Sequence, residues 1–440
     1  MNASVLVLGG GLTGLEAAVE LADAGVRAVV VEKGPIVGGK RAAWLTGEGE
    51  GELDSRLRAV AGNANIELLT LSELKTLEGS AGEFVATIHR LPRYVTDDCT
   101  RCNHCAPVCP QSVPSEYDAG LTSRKAIHSP FPQTIPDIYA IDIDTCLNMP
   151  PNYLPCQRCV EVCDDRAIHF DITPPDPVAV HAAAVIVATG YVDDDASERD
   201  SLAEFGYGEH PDILSSVELQ RLLEVPGPSG GFAVRPSDEG YPDSVLLVLS
   251  RVSPGAAWVM ANQLRRLAGQ NLEQLEVLVL SAGREDPALV PLQAAAAECG
   301  AALQFGSWIG IETPQGGKLL SRFARFPDGE RVEVAVDLVV LSSEVHPHPQ
   351  VPALAEKLGL EIDPQGYLQP SREGIYLAGG VLGTVGIEAG AEQARTVVQA
   401  ALAHLEAGEE QIEAPPVEGP GRDQLEQMLL ALMRLGERNG

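Results

Sequence analysis

The sequence is poor in basic residues. Its 440 residues include 31 Lys and Arg against 62 Asp and Glu, which gives a formal net charge of −31 at pH 7. Nucleic-acid binding requires a basic surface that neutralises phosphates, and electrostatic attachment to anionic lipid requires clustered Lys and Arg. The charge balance argues against both, so we expect no nucleic-acid partner. An acidic surface of this kind fits either simple solvation or the attraction of a basic partner protein.

The sequence also lacks a long apolar run. A membrane-spanning helix needs roughly 20 consecutive apolar residues, and no stretch of the chain approaches this, so we expect no direct membrane insertion. A strand-like run already begins at Ser4, which leaves no room for a signal peptide. We therefore expect a cytoplasmic protein, with any attachment to a membrane made through partner subunits. At 440 residues the chain has room for two or three domains.

Eight of the nine cysteines lie in two groups. The first group reads C-x-x-C-x-x-C-x-x-x-C and is followed by proline: Cys99, Cys102, Cys105 and Cys109. The second begins with a separate cysteine and ends in C-x-x-C-x-x-x-C: Cys146, Cys156, Cys159 and Cys163. This doubled pattern is typical of bacterial ferredoxins with two [4Fe–4S] clusters, in which the fourth cysteine of each run serves the other cluster. We assign to one cluster Cys99, Cys102, Cys105 and Cys163, and to the other Cys146, Cys156, Cys159 and Cys109.

Two features depart from the simple ferredoxin pattern. Nine residues separate Cys146 from Cys156 where that pattern has two, and Asp164 stands where a proline usually follows the last cysteine. Zinc is the first alternative, but it prefers two separated C-x-x-C pairs, which a run of three cysteines fits poorly. Disulfides are the second alternative. They require an oxidising compartment, which the expected cytoplasmic location does not provide. The ninth cysteine, Cys299, lies in a helix-like apolar stretch, and we expect it to be buried.

A glycine motif opens the chain. It reads G-x-G-x-x-G and follows an apolar run that predicts a buried strand: Gly9, Gly11 and Gly14 after Ser4-Val-Leu-Val-Leu8. The pattern predicts a helix over 15–24 and a second strand over 26–31, which ends at Glu32. A dinucleotide-binding unit has these features: a strand, a glycine turn, a helix, and an acidic residue about twenty residues after the glycines. The helix N-terminus favours phosphates there, and Glu32 can accept hydrogen bonds from a ribose diol.

The segment after Glu32 resembles flavoproteins of the two-dinucleotide-binding type, because Gly38-Gly39 lies where their loop follows the diphosphate. That resemblance implies FAD and gives roles to Val185-Ile-Val-Ala-Thr-Gly190, which closes the FAD domain, and to Gly374-Ile-Tyr-Leu-Ala-Gly-Gly380, which reaches the flavin end. Such flavoproteins usually carry an aspartate at the position of Gly380. The expected cofactor-binding residues are Gly9, Gly11, Leu12, Thr13, Gly14, Glu32, Lys33, Gly38, Gly39, Lys40, Thr189, Gly190, Gly379 and Gly380.

A second α/β unit follows in the position where related flavoproteins bind NAD(P)H. Its predicted elements are a strand over Ser244–Leu249, a helix over about 256–268, a strand over 275–280 and a helix over about 291–299. The turn Ser250-Arg-Val-Ser-Pro-Gly-Ala-Ala-Trp258 holds one glycine instead of three, which leaves no room for a pyrophosphate. We expect a scaffold or docking surface here rather than a nicotinamide site.

The predicted fold class is α/β: an FAD-binding Rossmann-type flavoprotein with an inserted bacterial-type 2[4Fe–4S] ferredoxin domain. The expected segments are 1–92 as the first part of the FAD domain, 93–176 as the ferredoxin-like insert, 177–242 as the second FAD part with a connecting loop, 243–336 as the degenerate NAD-like domain, 337–408 as the third FAD part, and 409–440 as a linker with an amphipathic helix.

Several stretches resemble the A subunit of heterodisulfide reductase and the related A subunit of the quinone-interacting membrane-bound oxidoreductase complex. They are Asn65-Ile-Glu-Leu-Leu-Thr with Ser72-Glu-Leu, Pro92-Arg-Tyr-Val-Thr-Asp-Asp-Cys-Thr-Arg-Cys, Arg124-Lys-Ala-Ile-His-Ser-Pro-Phe-Pro-Gln and Val234-Arg-Pro-Ser-Asp238. The resemblance implies a protein that carries FAD and iron–sulfur clusters and works with the other subunits of such a complex. Archaeal members hold further cysteines soon after the Gly-Gly loop, whereas 40–61 here has none.

Three functions follow as hypotheses. The favoured one is an electron-transfer subunit that relays electrons between FAD, two [4Fe–4S] clusters and a partner subunit in sulfur or energy metabolism. The alternative is a free-standing NAD(P)H-dependent flavin and iron–sulfur oxidoreductase. The turn at 250–258, which holds one glycine instead of three, argues against it. The third is an assembly subunit whose clusters are structural. No catalytic residue is assigned by the sequence.

Overall fold

The structure, a computed structural model, describes residues 4–39, 50–129, 134–148, 154–192, 196–225, 227–314, 317–344, 346–383 and 387–407. Lys40 and the predicted C-terminal segment 409–440 lie outside these residues. The described residues divide into two compact units. The first unit comprises 4–192 and 346–407, and the second comprises 196–344.

Both units contain helices and strands. Residues 4–192 form β1 Ser4–Leu8, α1 Leu12–Asp23, β2 Arg27–Val31, α2 Glu50–Val60, β3 Ile66–Leu69, β4 Ser72–Glu78, β5 Phe84–Arg90, α3 Cys105–Val108, β6 Ser112–Pro114, β7 Ser123–Lys125, β8 Ile127–His128, β9 Ala140–Ile141, α4 Arg158–Glu161, β10 Val178–Ala182, β11 Ala184–Val187 and β12 Tyr191–Val192. Residues 196–344 form α5 Ala196–Ala203, β13 Ile213–Ser215, α6 Ser216–Leu222, β14 Ser244–Leu249, α7 Pro254–Ala268, β15 Gln274–Val279, α8 Val290–Cys299, β16 Ala302–Glu312, β17 Leu319–Arg325, β18 Arg331–Val336 and β19 Leu338–Leu341. Residues 346–407 form β20 His346–Pro347, α9 Val351–Leu358, β21 Glu361–Ile362, β22 Leu368–Gln369, β23 Ile375–Leu377 and α10 Ile387–Ala407.

The first unit is built on a parallel sheet in the order β23-β11-β1-β2-β3. Every residue of β1 is buried, as expected for a strand that is covered on both faces. Val5 and Val7 pack with residues of α1 and α10. Leu6 and Leu8 face the other way and pack with residues of α9 and of the antiparallel sheet β10-β5-β4. The sheet therefore forms the middle layer of three.

The predicted insert leaves the first unit between two neighbouring strands. Strands β5 and β10 are antiparallel partners, with Ile88 opposite Val178. The segment between them has a small core of its own, which includes Val95, Ile127 and Ile168. Its strands are short, and β8 pairs with β9 across residues Ile127 and Ile141. The chain thus returns to the sheet at the strand next to the one it left.

The second unit contains a sheet in the order β13-β19-β14-β15-β16-β17-β18. The predicted strand and helix bounds within it agree with the structure to within two residues. The predicted domain bounds, 243–336, are too narrow, because β19 pairs in parallel with both β13 and β14. Residues 196–242 and 337–344 therefore belong to this unit and not to the FAD domain.

In the ranges that the structure describes, no helix combines the length and the apolar character that crossing a membrane requires.

Candidate functional site

The turn between β1 and α1 depends on two of its glycines for packing. Gly9 has φ +106°, and a Cβ there would lie 2.4 Å from the Ala188 carbonyl oxygen. A Cβ at Gly14 would lie 2.0 Å from the Gly9 carbonyl oxygen. A Cβ at Gly11 would meet no described atom within 4 Å. Gly9 and Gly14 thus allow strand and helix to approach, and Gly11 borders open space at the N-terminus of α1, where backbone amides favour phosphate.

Glu32 is bound to the same turn. Its Oε2 accepts a hydrogen bond from the Gly10 amide at 2.7 Å, and its Oε1 accepts one from the Gly34 amide at 2.6 Å. Burial raises the pKa of Glu32, while these amides act in the opposite direction. The Gly38 amide donates to the Gly10 carbonyl at 2.7 Å, and Gly38 and Gly11 form a parallel backbone bridge. The loops that follow β1 and β2 are therefore held side by side.

The two remaining predicted segments meet this turn. A Cβ at Gly379 would lie 2.7 Å from Thr13 Oγ1, so Gly379 lies against the first turn of α1. A Cβ at Gly380 would lie 2.4 Å from the Tyr191 ring, so Gly380 lies directly against Tyr191. Thr189 Oγ1 is buried and makes no hydrogen bond within the described residues. The structure brings together the predicted binding residues from four parts of the chain, apart from Lys40.

A cleft of about 730 Å³ opens beside the glycine turn. Its lining combines residues from the predicted FAD segments with residues from the insert and α9: Gly9, Glu32, Lys33, Thr189, Tyr117, Arg124, His128, Asp142 and Lys357. Sequence reasoning missed the insert residues. Arg124 and His128 both lie in the stretch that carries the family resemblance, but nothing in that pattern indicates which cofactor they face.

The cleft and the glycine turn beside it together suit a dinucleotide. The amides at the N-terminus of α1 lie in this turn and suit a diphosphate, and Glu32, which lines the cleft, is bonded to the Gly10 amide of the same turn. The buried Thr189 hydroxyl and the Nε2 atom of His128 both lack a hydrogen-bond partner within the described residues. Buried polar atoms are normally paired, so these two atoms indicate that a polar ligand completes the site.

The eight cysteines lie in two neighbouring groups of four. Cys99, Cys102 and Cys163 lie near enough to Cys105 to act on the pKa of its thiol, and Cys105 in turn acts on the pKa of Cys159. The other four cysteines line one small cavity together with apolar side chains: Cys109, Cys146, Cys156 and Cys159. Each set draws members from both runs, as the ferredoxin pattern predicts. Their role as ligands stays a prediction.

The backbone turns sharply in the two-residue gaps between the cysteines of the first run, Cys99 to Cys109. Arg101 and Asn103 have φ of +56° and +64°, which non-glycine residues adopt rarely. Within this run, Cys99 and Cys102 both lie near enough to Cys105 to act on the pKa of its thiol. The Ala167 amide donates to Cys163 Sγ at 3.3 Å, and hydrogen bonds of this kind to sulfur tune the potential of an iron–sulfur cluster.

The buried thiols need a cation to ionise. Burial raises the pKa of Cys105 to about 11 and that of Cys159 to about 12, and neighbouring thiolates act in the same direction. Such thiols stay protonated at neutral pH unless a metal stabilises the thiolate. Among the described residues, no three His, Cys, Asp or Glu side chains lie close enough together to hold a single metal ion. In a cubane, by contrast, each thiolate binds a separate iron.

Cys299 stands apart from these groups. It is partly exposed at the end of α8, so the expectation of a buried residue is wrong. The helix ends at Cys299, and Gly300 follows in the left-handed conformation, which leaves the last turn close to solvent.

In the second unit, side chains of the unit itself bind backbone amides of the turn between β14 and α7. Ser253 caps α7 by accepting a hydrogen bond from the Ala256 amide at 3.2 Å, and Pro254 occupies the first helical position. The Ser250 amide donates to Ser342 Oγ at 3.0 Å. Side chains of the unit itself thus occupy these two amides, and the loss of a nicotinamide site stays a prediction.

Comparisons with known proteins agree with this site. Residues 4–121 match the family described as FAD dependent oxidoreductase. The chain is 33% identical over 447 residues to the iron–sulfur A subunit of the CoB–CoM heterodisulfide reductase of Methanocaldococcus jannaschii, over 94% of this chain and 66% of that protein. It is 32% identical to an iron–sulfur A subunit of the same reductase from Methanopyrus kandleri, over 93% of this chain and 65% of that protein.

The fold is similar to that of a solved thioredoxin reductase. The Lactococcus lactis enzyme superposes with a TM-score of 0.50 at 12% identity, over 92% of this chain and 99% of that one. The chain spans about two thirds of the length of the two heterodisulfide reductase proteins. On the strength of the sequence matches, the chain belongs to the family of heterodisulfide reductase A subunits and is an FAD-dependent oxidoreductase.

Proposed function

We propose that the chain is the FAD- and iron–sulfur-containing electron-transfer subunit of a heterodisulfide reductase-like or quinone-interacting oxidoreductase complex. It relays electrons between FAD, two [4Fe–4S] clusters and a partner subunit. The observation that carries this proposal is the sorting of eight cysteines into two sets of four, in the same unit as the dinucleotide cleft. FAD supplies two-electron chemistry and the clusters supply one-electron transfer.

The FAD site would use backbone groups more than side chains. Amides at the N-terminus of α1 would bind the diphosphate, and Gly11 leaves the space it needs. Glu32 is positioned by the Gly10 and Gly34 amides beside the ribose position. Lys33 lies in the same lining and is exposed, so it would place a positive charge near the phosphates.

The insert would act as a ferredoxin-like domain with two clusters. Cys99, Cys102, Cys105 and Cys163 would hold one, and Cys146, Cys156, Cys159 and Cys109 the other. The lining of the second cavity also includes Ile127, Ile141 and Phe170, which would exclude water from that cluster. Exclusion of water and hydrogen bonds to sulfur are the means by which a protein sets cluster potential. Cys102 is exposed, so the first cluster would be the one nearer to a partner.

Partner subunits are proposed from the relatives. The relatives are named as A subunits of heterodisulfide reductases, and this chain corresponds to about two thirds of their length. A net charge of −31 favours a partner with a basic docking face. Membrane attachment, where a quinone-linked complex is involved, would be made through such a partner.

The composition of the purified protein tests the proposal. Full-length protein isolated without oxygen should contain one FAD and about eight irons per chain, with flavin and iron–sulfur absorption. Reversible loss and return of both absorptions during an electrochemical titration would exclude structural clusters. Colourless protein, or zinc in place of iron, would contradict the proposal.

The alternative function, a free-standing NAD(P)H-dependent oxidoreductase, is tested on the same material. We expect NADH and NADPH to leave the flavin absorption unchanged, because the capped turn at Ser253 provides no diphosphate site. Dithionite, which needs no binding site, serves as the positive control. Rapid bleaching by NADH would favour the alternative.

A further inference from the structure

His128 has a buried ring nitrogen that is available as an acceptor. It lies at the end of β8, is 8% exposed and lines the same cleft as Glu32. Its Nδ1 is 3.4 Å from the Ala126 carbonyl oxygen, and because a carbonyl can only accept, the proton lies on Nδ1. Burial lowers the pKa of His128, and the charge of Arg124 acts in the same direction, so the ring is neutral at neutral pH. Nε2 therefore carries a free lone pair and has no partner within the described residues.

The wall around His128 is held in place by other residues of the insert. The ring of Tyr117 lies 5.8 Å from the His128 ring, centroid to centroid. The Arg124 guanidinium binds Glu116 at 2.8 Å and Asp142 at 2.9 Å. Tyr117, Arg124 and Asp142 line the cleft together with His128. The insert thus presents a fixed aromatic and polar surface to the cleft.

Other residues of the cleft lining indicate what the cleft would hold. They include Gly9, Glu32 and Thr189, which belong to the dinucleotide turn and to the ends of the neighbouring strands. An acid that ends the second strand of such a unit binds the ribose of the adenosine half. The space between Glu32 and the insert therefore corresponds to adenosine, whose amino and hydroxyl groups are hydrogen-bond donors.

We propose that the insert completes the adenosine pocket of the FAD site, with His128 Nε2 accepting a hydrogen bond from the adenosine and Tyr117 covering the pocket beside it. The inference rests on the proposed FAD function and adds a binding role for residues that lie between the two cysteine groups. It makes the insert part of the flavin site as well as a holder of clusters.

The same wall is bonded to the cysteine loops. Arg101, between Cys99 and Cys102, donates to Ser129 Oγ at 2.8 Å, next to His128. Asp142 accepts from Thr145 Oγ1 at 2.7 Å, and its carbonyl accepts from the Cys146 amide at 3.0 Å. Loops that hold the clusters thus position the residues that would hold adenosine.

Binding of the two halves of FAD tests the proposal. The full-length protein, with clusters intact and flavin removed, is titrated with ADP, FMN and FAD. We expect His128→Leu to weaken ADP and FAD binding about 5- to 12-fold, the effect of one lost hydrogen bond, and to leave FMN binding unchanged. His181→Leu, on the exposed side of β10, is the matched control and should change none of the three.

Each outcome of this titration either supports the adenosine-pocket proposal or overturns it. Wild-type ADP affinity in a His128→Leu protein that retains its iron would overturn the proposal. If His128→Leu loses iron or unfolds, His128→Gln decides instead, because its side-chain oxygen replaces Nε2. It must bind ADP within about twofold of wild type, and a loss as large as that of the leucine variant would overturn the proposal. Failure of the wild type to bind FAD would refute the proposed function itself. This result differs from a selective failure of the His128 variants, which would concern only the adenosine pocket.

Discussion

Replacing Gly14 by alanine should damage the turn between β1 and α1 even when no cofactor is bound. The added Cβ would lie 2.0 Å from the carbonyl oxygen of Gly9 and 3.1 Å from its carbonyl carbon. Both are backbone atoms, so α1 must move away from β1. Overpacking of this kind costs about 1–3 kcal/mol, and a contact with backbone places the expected loss at the upper end of that range.

Gly11 provides the matched control, since a Cβ there meets no described atom within 4 Å and its φ is −74°. Gly11→Ala should change the stability of the flavin-free protein by less than about 1 kcal/mol. It should weaken FAD binding roughly 10-fold or more, because its methyl group occupies the space left for the diphosphate. The two substitutions thus separate packing from cofactor binding.

Thermal unfolding and flavin titration measure the two effects. A loss of about 1–3 kcal/mol corresponds to a fall in melting temperature of roughly 2–12 °C for a domain of this size. Gly14→Ala should show this fall without flavin, and Gly11→Ala should not. A Gly14→Ala protein as stable as wild type, or a Gly11→Ala protein with wild-type FAD affinity, would refute the interpretation of this turn.

Two further predictions concern the clusters and the second unit. Cys146→Ala should lower the iron content from about eight to about four per chain, whereas Cys299→Ala should leave it unchanged; equal iron in the two variants would exclude Cys146 as a ligand. Burial opposes ionisation of Asp337, but hydrogen bonds from Ser244 and the charge of Lys318 hold its pKa below the usual value. Its contribution to stability is therefore complete above about pH 4 and is lost as pH falls through the folded-state pKa. Asp337→Asn should destabilise the protein in urea unfolding at about pH 7, and its difference from wild type should shrink as the pH falls below about 4. The exposed Glu285→Gln is the control, and a pH-independent difference would contradict the assignment.

The dinucleotide fold could be predicted because its signals are local. The apolar run at Ser4–Leu8 and the glycines that follow it specify a strand, a turn and a helix in one short stretch. The helix begins at Leu12 and not at Leu15 as predicted, because Gly11 takes the capping position and the first turn faces the open space. The expected FAD-binding α/β fold is confirmed by the sheet and by the family match. The ferredoxin-like nature of the insert stays a prediction.

The domain bounds and the cleft wall could not be predicted because they depend on distant pairings. Strand β19 joins the second sheet by pairing with β13, which lies more than a hundred residues earlier. His128 lines the same cleft as Glu32 only because the insert packs on the dinucleotide loop, where the Val37 amide donates to the Ile135 carbonyl at 2.9 Å. No sequence periodicity or motif predicts a contact between such distant segments. The cysteine spacing predicts two sets that each combine both runs, because the ferredoxin pattern already contains that crossing, and the assignment of ligands stays a prediction.

The antiparallel pairing of β5 with β10 has a consequence for protein engineering. Because Ile88 and Val178 stand opposite each other, the two ends of the intervening segment leave the sheet side by side. A short reverse turn can bridge them, so residues 91–177 can be excised with the ladder between these strands kept in register. The shortened chain would show whether the remaining scaffold folds and binds flavin without the predicted ferredoxin-like segment.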